Sequence, residues 1–335
     1  MKNTPKIAIV GAGIAGLSCT KRLKDAGLDT VLFDKSRGPA GRMSTRRGND
    51  WQCDHGAQYF TARDPAFRAE VARWQAAGVA DLWQPRLAIL GGAETREPDQ
   101  GHERFVGVPR MTAPARHLAD GLPLSAQTTI QTLHCGPDGW CLSSIEQGVL
   151  ATRFDAILLA VPAPQAEPLL RVPAPRLAAL AGRAVMRGSW ALMLRYDAPL
   201  TFAFDAAFVN AGPLRWVARD NSKPGRGPQE TWLLHASATW SEAHIEDSPE
   251  AVAAALLQAF IKLGAPAPQA WTAHRWRYAD TEPALDNVCA WDADLRIGLC
   301  GDWLNGGKVE GAWQSGQRLA EQLMQSLAWP GNTSP

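Results

Sequence analysis

A short apolar run over residues 7–10 predicts a buried strand close to the start of the chain. It leads directly into three glycines with the spacing G-x-G-x-x-G, and the apolar residues that follow recur at helical spacing as far as Gly27. A second run over 30–33 predicts the next strand, which Asp34 closes. This order predicts a strand, a tight turn, a helix and a second strand, the beginning of a layered α/β fold.

Later stretches predict more elements of both kinds. An N-cap residue followed by proline predicts helices over 64–78 and 248–264, and Thr112 is expected to cap a helix through His117. The continuous apolar run 155–161 predicts a strand buried on both faces of a parallel sheet, ended by proline. Near the end of the chain, 295–300 predicts a further strand, followed by a loop and a helix that starts around Gly311.

Between residues 185 and 245 the pattern changes to Trp-, Leu- and Thr-rich segments separated by turn sequences, which predicts antiparallel strands. We therefore predict an α/β fold with a discontinuous, Rossmann-like nucleotide-binding domain and an inserted α+β substrate domain built on an antiparallel sheet. The expected boundaries place residues 1–62, 105–162 and 272–330 in the first domain and residues 63–104 and 163–271 in the second.

The charge of the chain is balanced, with 34 Lys and Arg against 33 Asp and Glu. No global field therefore favours nucleic acid or an anionic membrane, and small molecules are the expected partners. The first strand follows MKNTPK at once and no apolar run reaches the length of a membrane span, so we expect a cytoplasmic monomer or weak homodimer. Six cysteines and seven histidines show no metal-ligand spacing, and no metal site is predicted.

The glycine motif points to a dinucleotide. In a strand–turn–helix unit Gly11 permits the turn, Gly13 lets the backbone approach a diphosphate and Gly16 lets helix and strand pack closely. Asp34 follows Gly16 by 18 residues, about where a carboxylate accepts from an adenosine ribose. At this point the dinucleotide is either NAD or FAD.

Two later segments favour FAD. Gly38, Gly41 and Arg42 form a glycine-lined turn whose guanidinium suits phosphate oxygens. Asp302 comes at the end of a predicted strand, where it would accept from ribityl hydroxyls, and the helix that follows would direct its N–H groups at the flavin ring. A second G-x-G-x-x-G after a strand is missing from the sequence, so no separate nicotinamide domain is predicted and the electron donor is expected to be the substrate itself.

With these motifs the chain resembles the flavin amine oxidase superfamily. The glycine motif, Asp34, "GPAGR", "DHGAQYF" and a terminal "GD" followed by "EGAWQSG" carry the likeness. Within that superfamily, "FDKSRGPAGRMSTRR", "WLLHASATWS", "AHRWRYA" and "CGDWLNGGKVEGAWQSG" are similar to the bacterial branch of renalase, and the blocks span residues 6–316. Ala40 departs from the superfamily's usual second glycine before Gly41 and Arg42.

The resemblance implies non-covalently bound FAD and a set of residues that hold it. These expected cofactor-binding residues are Gly11, Gly13, Ile14, Ala15, Gly16, Asp34, Lys35, Gly41, Arg42, Met43, Gly56, Ala57, Gln58, Tyr59, Gly301, Asp302, Glu310, Gly311 and Ala312.

The renalase resemblance also implies a reaction. The substrate would be a dihydronicotinamide dinucleotide with its hydride at ring position 2 or 6, and O2 would reoxidise the flavin to give hydrogen peroxide and NAD(P)+. Loss of hydride from a dihydropyridine gives an aromatic cation directly, so no catalytic base is required. The candidates for substrate contact are Tyr59, Trp216, His235, Arg275, Trp276 and Trp303. The loop with Arg219, Lys223 and Arg226 is a candidate for binding substrate phosphates.

The sequence is also compatible with three other functions. A true amine oxidase would use the same flavin, although the central blocks favour renalase. A desaturase or porphyrinogen oxidase is less compatible with the short substrate region. A non-catalytic flavin-binding protein would hold flavin that no donor reduces.

Overall fold

A computed structural model describes residues 4–91 and 101–327 of the chain. The strands within these ranges are β1 (Lys6–Val10), β2 (Asp29–Phe33), β3 (Thr45–Arg47), β4 (Gln52–Asp54), β5 (Ala80–Leu82), β6 (Leu87–Leu90), β7 (Phe105–Gly107), β8 (Leu124–Ser125), β9 (Ile130–Gly136), β10 (Gly139–Ser144), β11 (Gly148–Phe154), β12 (Ala156–Leu159), β13 (Met186–Tyr196), β14 (Ala206–Val209), β15 (Leu214–Arg219), β16 (Glu230–Ala236), β17 (Ala270–Thr281), β18 (Cys289–Asp292) and β19 (Ile297–Cys300). The α-helices are α1 (Ile14–Asp25), α2 (Pro65–Ala76), α3 (Ala113–Ala119), α4 (Ala163–Leu170), α5 (Pro175–Gly182), α6 (Ala238–Ala243), α7 (Pro249–Lys262) and α8 (Val309–Ser326).

The first sheet has the strand order β18-β19-β12-β1-β2-β8 among the described residues. β1 lies at its centre and pairs in parallel with β12 and β2, while β19 continues the parallel arrangement beyond β12. Every residue of β12 and β19 is buried, as a parallel strand covered on both faces requires. The predicted strands at both ends of the chain thus meet in one sheet, and the predicted α/β fold class is confirmed.

Helices α1 and α8 run parallel to each other against this sheet. The Ser18 hydroxyl of α1 donates to the Trp313 carbonyl of α8 at 2.9 Å, and one turn further along Arg22 lies 3.6 Å from Glu321. A Cβ on Gly316 would lie 2.1 Å from the Ala15 carbonyl, so only glycine permits this approach. Both helices therefore begin at the carboxyl edge of the sheet.

The second sheet has the order β17-β13-β16-β15-β14-β6 in the part of the chain that the structure describes. Its pairs are antiparallel except for β14 with β6. One face packs on α7 through a core that includes Trp232, Leu256 and Phe260. The opposite face turns toward the first sheet and its β3–β4 hairpin, where Cys53 packs on Ala191, Met193 and Leu233. The candidate site lies on this side.

Two helices, α2 and α7, begin at the N-cap residues that the sequence predicts. The Asp64 carboxylate accepts from the Ala66 and Phe67 amides at the start of α2, and the Ser248 hydroxyl accepts from the Ala251 amide at the start of α7. Thr112 precedes α3, but its side chain makes no capping hydrogen bond, so that part of the prediction is wrong. The last helix starts at Val309, two residues before Gly311.

Other elements differ from the sequence-based expectations. Residues 130–154 form a three-stranded antiparallel sheet, β9–β11, for which no strands were predicted. β17 is 12 residues long and pairs with β13, so the expected domain boundary at residue 272 falls inside a strand of the second sheet. Part of the expected segment 63–104 and the end of 272–330 lie outside the described residues.

No helix among the described residues is long and apolar enough to cross a membrane. The same residues contain no group of three or more His, Cys, Asp or Glu side chains arranged to hold a metal ion.

Candidate active site

The glycine turn after β1 has the geometry that the motif requires. Gly11 has a φ of +109°, and a Cβ there would lie 2.5 Å from the Ala160 carbonyl. A Cβ on Gly16 would lie 1.9 Å from the Gly11 carbonyl, so both glycines are needed for the chain to pack on itself. At Gly13, by contrast, a Cβ would meet nothing within 4 Å. The middle glycine therefore faces open space, which is the place a diphosphate takes in such a turn.

The first turn of α1 contains Ile14 and Ala15, and its amides point into the same space. Gly13 stands at the N-cap and supplies no side-chain cap, so these amide groups remain available to an anion. The Asp34 carboxylate accepts from the Ala12 amide at 2.6 Å and from the Ser36 amide at 2.7 Å. Asp34, at the end of β2, thus holds the glycine turn in place through these hydrogen bonds. Its neighbour Lys35 is exposed.

Arg42 and Asp302 come together at the carboxyl edge of the sheet. Arg42 Nη1 donates to Asp302 Oδ2 at 2.9 Å and to the Ala279 carbonyl at 3.2 Å, and its Nη2 pairs with the other carboxylate oxygen. Gly41 approaches the glycine turn so closely that its Cβ would lie 3.3 Å from the Gly13 Cα. Met43, which follows, is buried in the core and reaches the site only through its backbone.

The segment from His55 to Tyr59 lies directly beside this arginine. The Ala57 amide donates to the Arg42 carbonyl at 2.9 Å, and a Cβ on Gly56 would lie 1.9 Å from the same oxygen. Gln58 turns inward: its side-chain amide donates to the Asp54 carbonyl at 2.7 Å. The Gln58 side chain is thus held by hydrogen bonds within its own segment.

The start of α8 completes the carboxyl edge. A Cβ on Gly311 would lie 1.7 Å from the Asn305 carbonyl, and the Gly301 amide donates to the Ser315 hydroxyl at 2.9 Å, so the loop between β19 and α8 is held close to the helix. No side chain caps α8, and Ala312 remains half-buried in its first turn. The Glu310 carboxylate accepts from the Arg63 and Asp64 amides at 2.8 and 2.6 Å, so it joins the start of α8 to the start of α2.

Across from these groups, the register of the second sheet aligns a row of side chains over five strands. Ala191 of β13 pairs with His274 of β17 on one side and with His235 of β16 on the other. His235 pairs with Trp216 of β15, which pairs with Phe208 of β14. We call these five residues the aromatic row. Ala191, between the two imidazoles, is fully buried and packs against Cys53.

The segment 55–59 contacts the aromatic row along its length. His235 Nε2 and Trp276 Nε1 both lie within hydrogen-bond distance of the His55 carbonyl, at 3.1 and 2.9 Å. Since a carbonyl only accepts, both nitrogens must donate, which leaves Nδ1 of His235 as an acceptor. The Tyr59 ring lies 5.8 Å from the Trp216 ring, so Tyr59, Trp216, His235 and Trp276 are brought together as predicted from the sequence.

All three histidines of this region are neutral at pH 7. Burial lowers the pKa of His55 to about 3 and, together with the nearby Arg46, lowers the pKa of His274 to about 4. Burial also lowers the pKa of His235 to about 4, against the effect of its hydrogen bond with the His55 carbonyl. The three imidazoles therefore add aromatic faces and no charge to the surface beside the glycine turns.

Two of the candidate substrate contacts are placed elsewhere. Arg275 adjoins Trp276 on β17, so it points to the opposite face of the sheet, where it donates to the Ile245 carbonyl at 2.7 Å and lies over Trp190. Trp303 is 1 % exposed, and its indole donates to the Val161 carbonyl at 3.1 Å. It is a core residue of the first sheet and is unable to touch a substrate.

The basic loop after β15 does not face a phosphate. Lys223 is fully buried, with Nζ 3.1 Å from Asp54 Oδ2 and 2.8 Å from Asp220 Oδ1. Arg226 also pairs with Asp54, at 2.5 Å, so two cations and two carboxylates form a neutral buried cluster. Arg219 bonds to the Leu200 carbonyl and lies 3.3 Å from Glu230. The predicted phosphate role of this loop is wrong, because its charges are used to join it to β4.

The pKa values of this cluster shift in different directions, and burial raises the pKa of Asp220. Burial alone would raise the pKa of Asp54, but Lys223 and Arg226 lower it well below its usual range. Burial would lower the pKa of Lys223, yet Asp220 and Asp54 raise it. Lys223 is therefore a permanent cation at neutral pH and does not serve as a free amine base.

Sequence reasoning missed His55 and His274, which flank Trp276 at ring-centroid distances of 5.2 and 4.5 Å. It also missed Trp83, whose ring lies 6.4 Å from that of Tyr59. A usable signal existed for His274, since it stands two residues before Trp276 and so shares its face of a strand.

The residues at the carboxyl edge fit an extended dinucleotide. Gly13 faces open space, and neither α1 nor α8 has a side-chain cap, so the amide groups of both first turns are available to a ligand.

Comparisons with known proteins agree with this arrangement. Residues 9–74 match the model of the NAD(P)-binding Rossmann-like domain, and residues 63–324 match that of flavin containing amine oxidoreductase. A proposed protoporphyrinogen oxidase from Exiguobacterium sp. 255-15 superimposes with a TM-score of 0.78 at 12% identity, covering 97% of this chain and 99% of that one. Cyclohexylamine oxidase from Brevibacterium oxydans gives a TM-score of 0.73 at 14% identity, covering 97% and 100%. These likenesses concern the fold.

Among curated proteins, the tRNA 5-methylaminomethyl-2-thiouridine biosynthesis bifunctional protein MnmC of Magnetococcus marinus is 28% identical over 196 residues, which is 46% of this chain. The match spans only 29% of the length of that relative. The second family model, by contrast, extends over most of the present chain. The chain therefore belongs to the flavin containing amine oxidoreductase family: it is a flavin-dependent oxidoreductase whose cofactor is FAD.

Proposed function

We propose that this protein oxidises dihydronicotinamide dinucleotides that carry their hydride at ring position 2 or 6, with O2 as the final acceptor. The products are NAD(P)+ and hydrogen peroxide. One proton from the solvent is consumed together with the substrate and O2, because the hydride supplies only one of the two hydrogens of the peroxide. Such a reaction would return wrongly reduced nicotinamide cofactor to its usable form.

The observation that carries the proposal is the ring-lined surface, with neutral imidazoles, opposite the glycine turns. The aromatic row, Tyr59 and Trp276 offer flat apolar faces that suit contact with a planar ring. His235 Nδ1 is an acceptor at this surface, available to an amide N–H such as that of a nicotinamide carboxamide.

The charge state of the site suits the chemistry. When bound, FAD accepts a hydride from the substrate and passes the electrons to O2. The nicotinamide becomes a cation as hydride leaves, so the neutral histidines avoid repulsion and the indole faces stabilise the developing charge. What remains for the protein is to position the ring, exclude water and hold the carboxamide.

The amine oxidase reading has less support from these residues. An alkylamine arrives largely as a cation and needs a carboxylate to recognise it or a base to take its proton. Around the site, Asp54 and Asp220 pair with Lys223, and Asp302 pairs with Arg42, within the described part of the chain. These three carboxylates are therefore not free to receive an ammonium group.

Oxygen consumption by the purified flavoprotein tests the proposal. The 2- and 6-dihydro isomers of NAD are supplied in turn, with ordinary NADH and benzylamine as comparison donors. We expect one or both isomers to drive stoichiometric O2 uptake, with peroxide and NAD+ as products. Uptake with benzylamine but with neither isomer would replace the proposal with the amine oxidase reading.

A further inference from the structure

A second feature of the molecule lies next to the aromatic row: a cleft of about 1000 Å³ between the turn 36–39, the β3–β4 hairpin, the start of α3 and residues 220–231. Five arginines from three of these segments line it, and we call this set the arginine cleft: Arg37, Arg46, Arg47, Arg110 and Arg116. Sequence reasoning assigned no role to any of them.

The positive charge of the arginine cleft is not balanced by ion pairs within the described residues. None of the five forms an ion pair with a carboxylate of residues 4–91 or 101–327. Of the acidic residues in the lining, Asp220 is already held by Lys223, which leaves Asp50. Arginines that crowd together without counter-charges repel one another, and a bound anion removes that cost.

Arg110 has the least favourable surroundings of the five. Its Nε is buried and has no hydrogen-bond partner among the described residues. Burial lowers the pKa of its guanidinium, and the nearby Arg47, Arg116 and Arg226 lower it further. A buried donor without a partner is destabilising, so the site suits an acceptor that residues 4–91 and 101–327 do not provide.

The arginine cleft and the aromatic row are continuous. His55 lines the cleft and its ring stacks on Trp276 at 5.2 Å. Arg46 Nη2 lies 3.2 Å from His274 Nδ1, and since arginine only donates, the imidazole accepts. Arg46 therefore joins the end of the row to the beginning of the cleft.

The residues expected to hold FAD are separate from this cleft. Gly13, Gly41, Arg42 and Asp302 do not line it. Its arginines are therefore not needed to explain the diphosphate of the cofactor.

We infer that the arginine cleft binds the diphosphate of the dinucleotide substrate, while the nicotinamide end lies against the aromatic row. This inference rests on the proposed function for the identity of the substrate. Arginine pairs with phosphate oxygens through two parallel hydrogen bonds, so the set determines affinity for dinucleotides and discriminates against donors that lack phosphate.

Calorimetric titration of the holoenzyme with ADP-ribose tests the cleft alone, because ADP-ribose has the diphosphate and no nicotinamide. We compare the wild type with the double variant Arg47→Gln/Arg116→Gln and with Arg176→Gln, a control that removes one exposed arginine from α5. Both targets are exposed, so the fold should tolerate the change, and visible flavin absorbance checks that each variant retains FAD.

We expect the double variant to weaken ADP-ribose binding by about tenfold for each arginine removed, with the control unchanged and the wild-type affinity falling as salt rises. Equal affinities in the wild type and the double variant, or no binding by the wild type, would overturn the inference. If binding depends on the arginines but neither dihydro isomer reduces the flavin, the proposed function fails and the anion site stands.

A kinetic readout separates affinity from chemistry. In the double variant the KM for the dinucleotide should rise while kcat stays within about twofold, and the KM for dihydronicotinamide riboside, which has no phosphate, should not change. An equal rise in KM for the riboside would contradict a phosphate-binding role.

Discussion

Lys223 carries its charge inside the protein, where an ion is tolerated only if its partners are close. Its Nζ contacts Asp54, Gln58 and Asp220 at 3.1, 3.3 and 2.8 Å. The sequence around it, RDNSKPGR, is typical of a solvated loop. Its burial was not predictable, because Asp54 lies 169 residues away in the chain and only the fold brings the two together.

Lys223→Met should therefore destabilise the protein strongly. Removing this cation leaves two buried carboxylates with Arg226 alone, and breaking such a buried pair costs about 3–5 kcal/mol. Urea unfolding measures the change in the free energy of unfolding. The control is Lys262→Met, which replaces an exposed residue of α7. If Lys223→Met lowers the free energy of unfolding no more than the control does, the cluster does not hold the loop to β4.

At the scale of single elements, the alternation of β17 separates two neighbouring candidates. Trp276 faces the His55 segment, and Arg275 faces Glu246 on the other side of the sheet, 3.0 Å away. We expect Trp276→Leu to slow flavin reduction by substrate about tenfold or more through lost ring positioning, and Arg275→Gln to change it less than twofold. Rapid mixing measures both, and similar effects of the two substitutions would contradict the assigned faces.

The glycine turn yields a second matched pair. Gly16→Ala places a Cβ 1.9 Å from the Gly11 carbonyl, so we expect lower stability and weaker FAD retention together. Gly13→Ala meets no protein atom within 4 Å, so the apoprotein should unfold at nearly the wild-type temperature while FAD binding weakens. Circular dichroism and bound-flavin absorbance provide the two readouts. Full FAD retention in Gly13→Ala would show that the diphosphate lies elsewhere.

These elements also show what sequence determines locally and what it does not. The spacing of Gly11, Gly13 and Gly16, and the position of Asp34 after the next strand, are local features, so they predict the nucleotide turn. The aromatic row instead depends on the register of five strands drawn from residues 186–281, with long connections between them. Such a register is set by tertiary packing, and no short pattern in the chain encodes it.

At the scale of the whole molecule, the three neutral histidines lie where the two sheets meet and couple the stability of the protein to pH. Their pKa values in the folded state, about 3 for His55 and about 4 for His235 and His274, lie below the ordinary value of 6.5. The unfolded chain therefore binds protons first as pH falls, which favours unfolding.

We expect the unfolding temperature to be highest above pH 6.5 and to fall progressively as pH drops from 6.5 toward 4. His274→Gln should make this decline less steep, whereas His134→Gln, in the β9–β11 sheet, should not. Thermal unfolding followed across this range checks the prediction. An unfolding temperature that is constant from pH 6.5 to 4 would contradict the low pKa values.

The central claim is that a misreduced nicotinamide ring, held against the aromatic row, gives its hydride to FAD. Anaerobic titration of the yellow holoenzyme with the 2- and 6-dihydro isomers of NAD tests it most directly, with visible flavin absorbance as the signal. The account predicts rapid bleaching at one equivalent of one isomer, little with ordinary NADH or benzylamine, and recovery with peroxide formation when air is admitted. Bleaching by benzylamine alone, or by none of these donors, would contradict it.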